Sequence, residues 1–218
     1  MAKHYQLVVF DWEGTIVENG LGCSIVALTR AAERLHLPTV DLHTARLAVP
    51  YGLTNVVRKL FPTISLRQQE DLCIEVQKIM LEISASVPLV AGVEELIRWL
   101  HVSGVYIAIA TNKSAQGLAR VLRLSGLESF IHITRSATEA PAKPCPRMLE
   151  EIMDAFAISA QKTLMVGDSA SDMEMAKALK VDAVGMDFFQ LEESTLRTAG
   201  ACAVFHNYEQ LTQYVKGS

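Results

Sequence analysis

From Val105 onward, short strand-like runs alternate with segments whose apolar residues recur at helical spacing. The runs are Val105–Ala110, Ile131–Thr134, Thr163–Val166, Val181–Val184 and Ala201–Phe205, and the helical segments are Ala115–Leu124, Met148–Phe156, Asp172–Leu179 and Tyr208–Val215. Strands that are apolar on both faces belong to a parallel sheet covered by helices on either side. Together with the first run, Leu7–Phe10, and a helix over Val93–Leu100, they predict a doubly wound α/β core. The stretch between reads differently. Ile25, Leu28, Ala31, Ala32 and Leu35 recur at helical spacing, Leu66–Ile83 does the same, and no strand-like run intervenes. The expected organisation is therefore an α/β core over residues 1–19 and 86–218, with an inserted all-helical cap domain over residues 20–85.

Composition narrows the function. Half of the 218 residues are hydrophobic, enough for a sizeable core, and 20 Lys plus Arg against 24 Asp plus Glu leave a formal charge of −4. The chain lacks a Lys/Arg-rich run, so a nucleic-acid partner is not expected. The apolar run at Leu7–Phe10 is far shorter than a signal-peptide core, and no stretch approaches the roughly 18 apolar residues of a membrane span. A cytoplasmic protein without a membrane partner, monomeric or homodimeric, is expected. Cys23, Cys73, Cys145 and Cys202 lie far apart without metal-ligand spacing, which reads as reduced thiols, three of them filling the core.

In a doubly wound sheet, ligands bind beyond the carboxyl ends of the strands. Those ends carry Asp11-Trp12-Glu13-Gly14-Thr15, then Thr111-Asn112-Lys113, then Gly167-Asp168-Ser169 with Asp172, while Lys143 sits in the loop Pro141-Ala142-Lys143-Pro144. Carboxylates converging on one site repel unless a cation lies between them, and magnesium best fits an all-oxygen donor set. A threonine hydroxyl, turn N–H groups and a lysine ammonium can hold an anion beside it. Such parts describe phosphoryl transfer to a carboxylate nucleophile.

These four groups, in this order over residues 10–172, resemble the motifs of the haloacid dehalogenase superfamily, whose small helical cap is inserted at the same point. Within it, the chain is most similar to phosphoglycolate phosphatase-like members, including the N-acetylmuramic acid 6-phosphate phosphatases. The resemblance implies a magnesium-dependent phosphatase acting on a small phosphomonoester, of phosphoglycolate or sugar phosphate type. Asp11 would form an aspartyl-phosphate. Asp11, the backbone carbonyl of Glu13, Asp168 and Asp172 would hold Mg2+. Thr111 and the N–H of Asn112 would grip the phosphoryl oxygens, and Lys143 would neutralise charge. The Glu13 carboxyl would serve as acid and base.

The chain departs from that pattern at Glu13, where relatives carry Asp. One extra methylene moves the carboxyl by about 1.5 Å, and misplacement on that scale can cost about a hundredfold in rate. A slow phosphatase, a binding protein that keeps the fold without turnover, and a phosphomutase therefore stand as alternatives. Glu18-Asn19, near the hinge, and Pro50-Tyr51-Gly52, in a loop that helps choose substrate in relatives, also depart from the pattern. Arg46 is either a substrate-anion ligand or a solvated helix residue. Trp12 reads as a pocket wall or a packing residue, Thr111 also as a helix N-cap, and Asp172 also as a helix-dipole partner.

Overall fold

A computed structural model of the chain describes residues 5–18, 20–48, 53–84 and 87–217. Six strands form one parallel sheet: β1 (Leu7–Phe10), β2 (Tyr106–Thr111), β3 (Ile133–Ser136), β4 (Thr163–Gly167), β5 (Asp182–Met186) and β6 (Ala203–Phe205). Their order is β3-β2-β1-β4-β5-β6. Strand β1 is central, pairing Val9 with Ala108 on one side and with Met165 on the other. Every residue of β1 and β4 is buried, as expected of strands covered on both faces. The chain turns back across β1 between β3 and β4, so the reversal of strand order lies between β1 and β4, where an open sheet leaves a crevice.

The chain divides into two compact units, Met1–Val17 with Leu89–Ser218, and Glu18–Pro88. In the first, helices α5 (Val93–Val102), α6 (Ala115–Ser125), α7 (Arg147–Phe156), α8 (Ala170–Ala178), α9 (Glu193–Ala199) and α10 (Tyr208–Lys216) accompany the sheet. Leu7, Val9, Ala108, Met148, Leu149, Ile152, Met165 and Met173 share one buried cluster. Helix α9 escaped the sequence reading because only Leu196 and Ala199 of its seven residues are buried, too few to show a period. Strand β3 begins later than expected, since Glu128–Phe130 first closes a single 3-10 turn.

The second unit contains α1 (Gly20–Arg34), α2 (Leu42–Ala48), α3 (Leu53–Leu60) and α4 (Leu66–Ser84). Ile25, Leu28, Ala31 and Ala32 of α1 are buried, as are Leu72, Val76, Ile79 and Ile83 of α4, at spacings of three and four. Helix α1 ends where His36 takes a left-handed φ of 53° and Leu37 N–H returns to the Ala32 carbonyl. Leu35, just beyond that end, is only half-buried. Asn19, the Arg46 side chain and Pro50-Tyr51-Gly52 lie outside the described residues.

The cysteines correct an expectation. All four are free, but Cys23, Cys73 and Cys145 are half-buried and Cys202 is exposed, so none fills the core. Leucine, isoleucine, valine and methionine occupy that space instead. Among the described residues, no helix is long and apolar enough to cross a membrane.

Candidate active site

Asp11 follows β1 directly. Its N–H continues the sheet ladder to the Val166 carbonyl of β4 at 2.9 Å, which fixes its backbone between the two strands. The loop then closes tightly: Gly14 N–H donates to the Val17 carbonyl at 2.8 Å, and Ile16 and Val17 N–H both donate to Trp12 at 3.0 Å. Gly14 is required here twice over. Its φ is +79°, and a Cβ would stand 1.9 Å from Asp168 Oδ2, so the Asp168 carboxylate packs against the bare Cα. Gly167 does the same for Asp172, whose Cγ would lie 2.4 Å from an added Cβ. Two glycines of the loop and strand end thus make room for two carboxylates.

Asp11, Asp168 and Asp172 each present an oxygen within 4.8 Å of the others. A single ammonium enters this group. Lys143 Nζ donates to Asp11 Oδ1 at 2.7 Å, Asp172 Oδ1 at 2.7 Å and the Ala110 carbonyl at 3.2 Å, so its three protons are spent. Both Asp11 and Lys143 are buried, and Asp172 is fully so. Burial pushes the Asp11 carboxyl up, Lys143 opposes this and the Asp172 charge adds to it, giving a pKa of about 6. Asp168 rises to about 7, first from burial and then from the charges of Asp11 and Asp172. Burial pulls the Lys143 ammonium down, but Asp11 and Asp172 outweigh it and its pKa is raised. Three carboxylates facing one ammonium leave surplus negative charge in a low-dielectric place, which suits a hard divalent cation with oxygen ligands.

Asn112 and Asp172 both contact Lys143, Thr111 ends β2 and Trp12 follows Asp11. Thr111 is buried at the end of β2, and its Oγ1 accepts from Lys113 N–H at 3.2 Å. It does not cap α6. Ser114 does, accepting from Gly117 N–H at 3.2 Å, because the chain needs three more residues before it turns into the helix. Asn112 acts through its side chain: Oδ1 accepts from Lys143 N–H at 2.9 Å and ties the lysine loop to the end of β2. Asp172 does two jobs. Oδ2 accepts from Ser169 N–H and Oγ at the start of α8, while Oδ1 faces Lys143. Trp12 is buried, a packing residue.

Glu13 stands apart. Its side chain is 60% exposed, and its partner is Lys113, whose Nζ lies 2.5 Å from Oε1. The sequence reading did not single out Lys113 for this, although it directly follows Thr111-Asn112. It also missed Tyr208, at the start of α10, whose buried hydroxyl donates to the Thr15 carbonyl at 2.9 Å and supports the loop from beneath. Burial, then the charges of Asp168 and Asp11, raise the Tyr208 pKa well above its usual value, so it stays a proton donor. An aromatic residue 193 positions from its acceptor leaves no local sequence signal.

Carboxylates gathered around a buried lysine at the switch point of a doubly wound sheet suit phosphoryl-transfer chemistry, and comparison with known proteins supplies the family. The chain belongs to the haloacid dehalogenase-like hydrolases, whose family model matches residues 8–186. It is 29% identical over 195 residues to a phosphoglycolate phosphatase of Nitrosococcus oceani, covering 86% of each chain. It is 30% identical over 190 residues to the phosphoglycolate phosphatase of Pseudomonas savastanoi pv. phaseolicola, covering 84% of this chain and 70% of that protein. The fold matches a HAD-superfamily hydrolase from Geobacter sulfurreducens with a TM-score of 0.61 at 22% identity, covering 99% of this chain and 100% of that one.

Proposed function

We propose that this protein is a Mg2+-dependent phosphatase of a small phosphomonoester of phosphoglycolate type, working through an aspartyl-phosphate on Asp11. One observation carries the reading: Asp11, Asp168 and Asp172 converge within 4.8 Å, and Lys143 bridges Asp11 and Asp172. The substrate class rests on the relatives, which are phosphoglycolate phosphatases. The reading is of a cytoplasmic enzyme acting on a soluble metabolite.

The donor set fits magnesium, since all three side chains offer carboxylate oxygen; the Glu13 backbone carbonyl would complete the protein ligands. Bound there, Mg2+ would offset the carboxylate charge and polarise the phosphoryl oxygens. An Asp11 carboxylate oxygen attacks phosphorus, and the ester P–O bond breaks with its electron pair on the leaving oxygen. That oxygen takes a proton from the Glu13 carboxyl. Water then attacks the phosphorus of the aspartyl-phosphate, passes a proton to the Glu13 carboxylate, and the Asp11–phosphorus bond breaks to release phosphate. Throughout, Lys143 holds Asp11 in place and counters the negative charge passing beside it. Thr111 Oγ1 and the Asn112 N–H bind the phosphoryl oxygens, and the Asn112 side chain keeps the lysine loop in position.

Phosphate release from a panel of phosphomonoesters, including phosphoglycolate and amino-sugar 6-phosphates, tests this with Mg2+ and with chelator. Release that requires Mg2+ and disappears in Asp11→Asn is the expected result. Tight binding of a phosphomonoester without release by the folded, Mg2+-loaded protein would instead favour a binding protein. A phosphorylated isomer in place of free phosphate would indicate a mutase.

A further inference from the structure

We propose that Lys113 is the positioning residue for Glu13: its ammonium holds the longer carboxyl at the rim of the site, so that Glu at this position does the work of Asp. The inference rests on the phosphatase reading and deepens it. Glu13 carries one more rotatable bond than Asp, its side chain is 60% exposed, and among the described residues the carboxyl's ion-pair partner is the Lys113 Nζ at 2.5 Å. Lys113 is itself held along its length. Its N–H donates to Thr111 Oγ1 at 3.2 Å, and its carbonyl accepts from Ala137 N–H at 3.3 Å. Its stem crosses Gly117, where an added Cβ would meet Cγ at 3.4 Å and Cε at 3.6 Å. The lysine side chain is only 25% exposed.

The other end is equally fixed. The Gly14–Val17, Ile16–Trp12 and Val17–Trp12 hydrogen bonds close the loop that carries Glu13, so the loose element is the glutamate side chain alone. Lys113 is thus tied by its N–H to a phosphate-binding residue and by its ammonium to the acid and base. A shorter carboxyl at position 13 would end about 1.5 Å short of the ammonium. The pair therefore matches this chain's own residue at position 13. Lys113 moves no proton in this scheme; it restricts where Glu13 delivers one.

Proton delivery matters most when the leaving oxygen is strongly basic, which gives a readout that a merely structural role would not move. The experiment measures kcat and KM for phosphoglycolate, an alkyl ester, and for 4-nitrophenyl phosphate, whose leaving oxygen needs little protonation. In Lys113→Met, kcat/KM for phosphoglycolate should fall about fivefold, through kcat, the size expected of a half-exposed ion pair. The aryl ester should change by less than about twofold, and Lys113→Arg should restore most of the loss. In a Glu13→Asp background, Lys113→Met should cost less than about twofold, because the shorter carboxyl no longer reaches.

Equal loss of kcat/KM, which covers the steps up to departure of the leaving group, on both esters would overturn the proposal, as would a raised KM with kcat intact, which would make Lys113 a substrate contact. A loss of the same size in the Glu13→Asp background would overturn it too. These failures leave the phosphatase itself standing. A wild-type protein as inert as Asp11→Asn toward both esters would instead remove the phosphatase reading, and the positioning role with it.

Discussion

Asp11 and Glu13 stand two residues apart in one loop, yet they answer to different physics. Asp11 is buried and closed into a network with Lys143 and Asp172, so its energetics are set by desolvation and by a partner 132 residues away. Glu13 faces water and meets Lys113 across a pair that solvent screens. A buried ion network cannot lose one member without stranding the others. An exposed pair can be lengthened, shortened or exchanged at modest cost. The inner end of the loop is therefore constrained to its chemistry, while the outer end, where Glu13 stands, tolerates exchange.

The largest way to break that contrast is Asp11→Asn, which should lower turnover by on the order of 10^3-fold or more while leaving the chain folded, measured by phosphate release and circular dichroism. Next comes Lys143→Met. Three carboxylates would then share a buried site without their ammonium, and denaturant titration should show a loss of about 3 kcal/mol. The outer pair offers the comparison, since Lys113→Met should leave stability almost unchanged.

Protons and metal sharpen the contrast further. With Asp11 at about 6 and Asp168 at about 7, the metal-free folded chain binds more protons than the unfolded one between roughly pH 4 and 7. Raised carboxyl pKa values make ionisation a cost in the folded state, so these two groups lower stability as pH rises through that window. The cost is complete above it. Mg2+ should therefore raise Tm by several °C more at pH 8 than at pH 5.5, and Asp168→Asn should shrink that difference; a Tm gain independent of pH would contradict the placement of the cation among these carboxylates.

A modest effect is expected of Tyr208→Phe. It removes one buried hydrogen bond to the Thr15 carbonyl and should cost about 1 kcal/mol in a thermal or denaturant melt. If the loop is as dependent on this support as its geometry indicates, kcat should fall by about fivefold or less without a change in the Mg2+ requirement.

Much of this molecule was legible before any coordinate. The stretches Leu7–Phe10, Ile107–Ala110 and Leu164–Val166 are apolar throughout because central parallel strands are buried on both faces, and burial on both faces is written in composition alone. Their polar successors, Asp11, Thr111 and Asp168, stand at strand ends for the same local reason. Helix α9 and the start of β3 escaped because a single turn or two buried side chains carry too little pattern. The cysteines lie outside the core because a small, soft side chain fits a half-buried helix face, as at Cys23 and Cys73, or a loop, as at Cys145 and Cys202, as well as a core.

What the sequence determined by itself is therefore the alternation of strand and helix and the chemistry present at the strand ends, since both follow from short-range periodicity. Only the tertiary structure decided the partners: Lys143 with Asp11 and Asp172, Asn112 with the lysine loop, Lys113 with Glu13, and Tyr208 with Thr15. Those pairings join residues 29 to 193 positions apart. They depend on which groups the packed sheet leaves within about 3 Å of each other, buried for Lys143 and Tyr208 and at the surface for Lys113, a condition that no local pattern encodes.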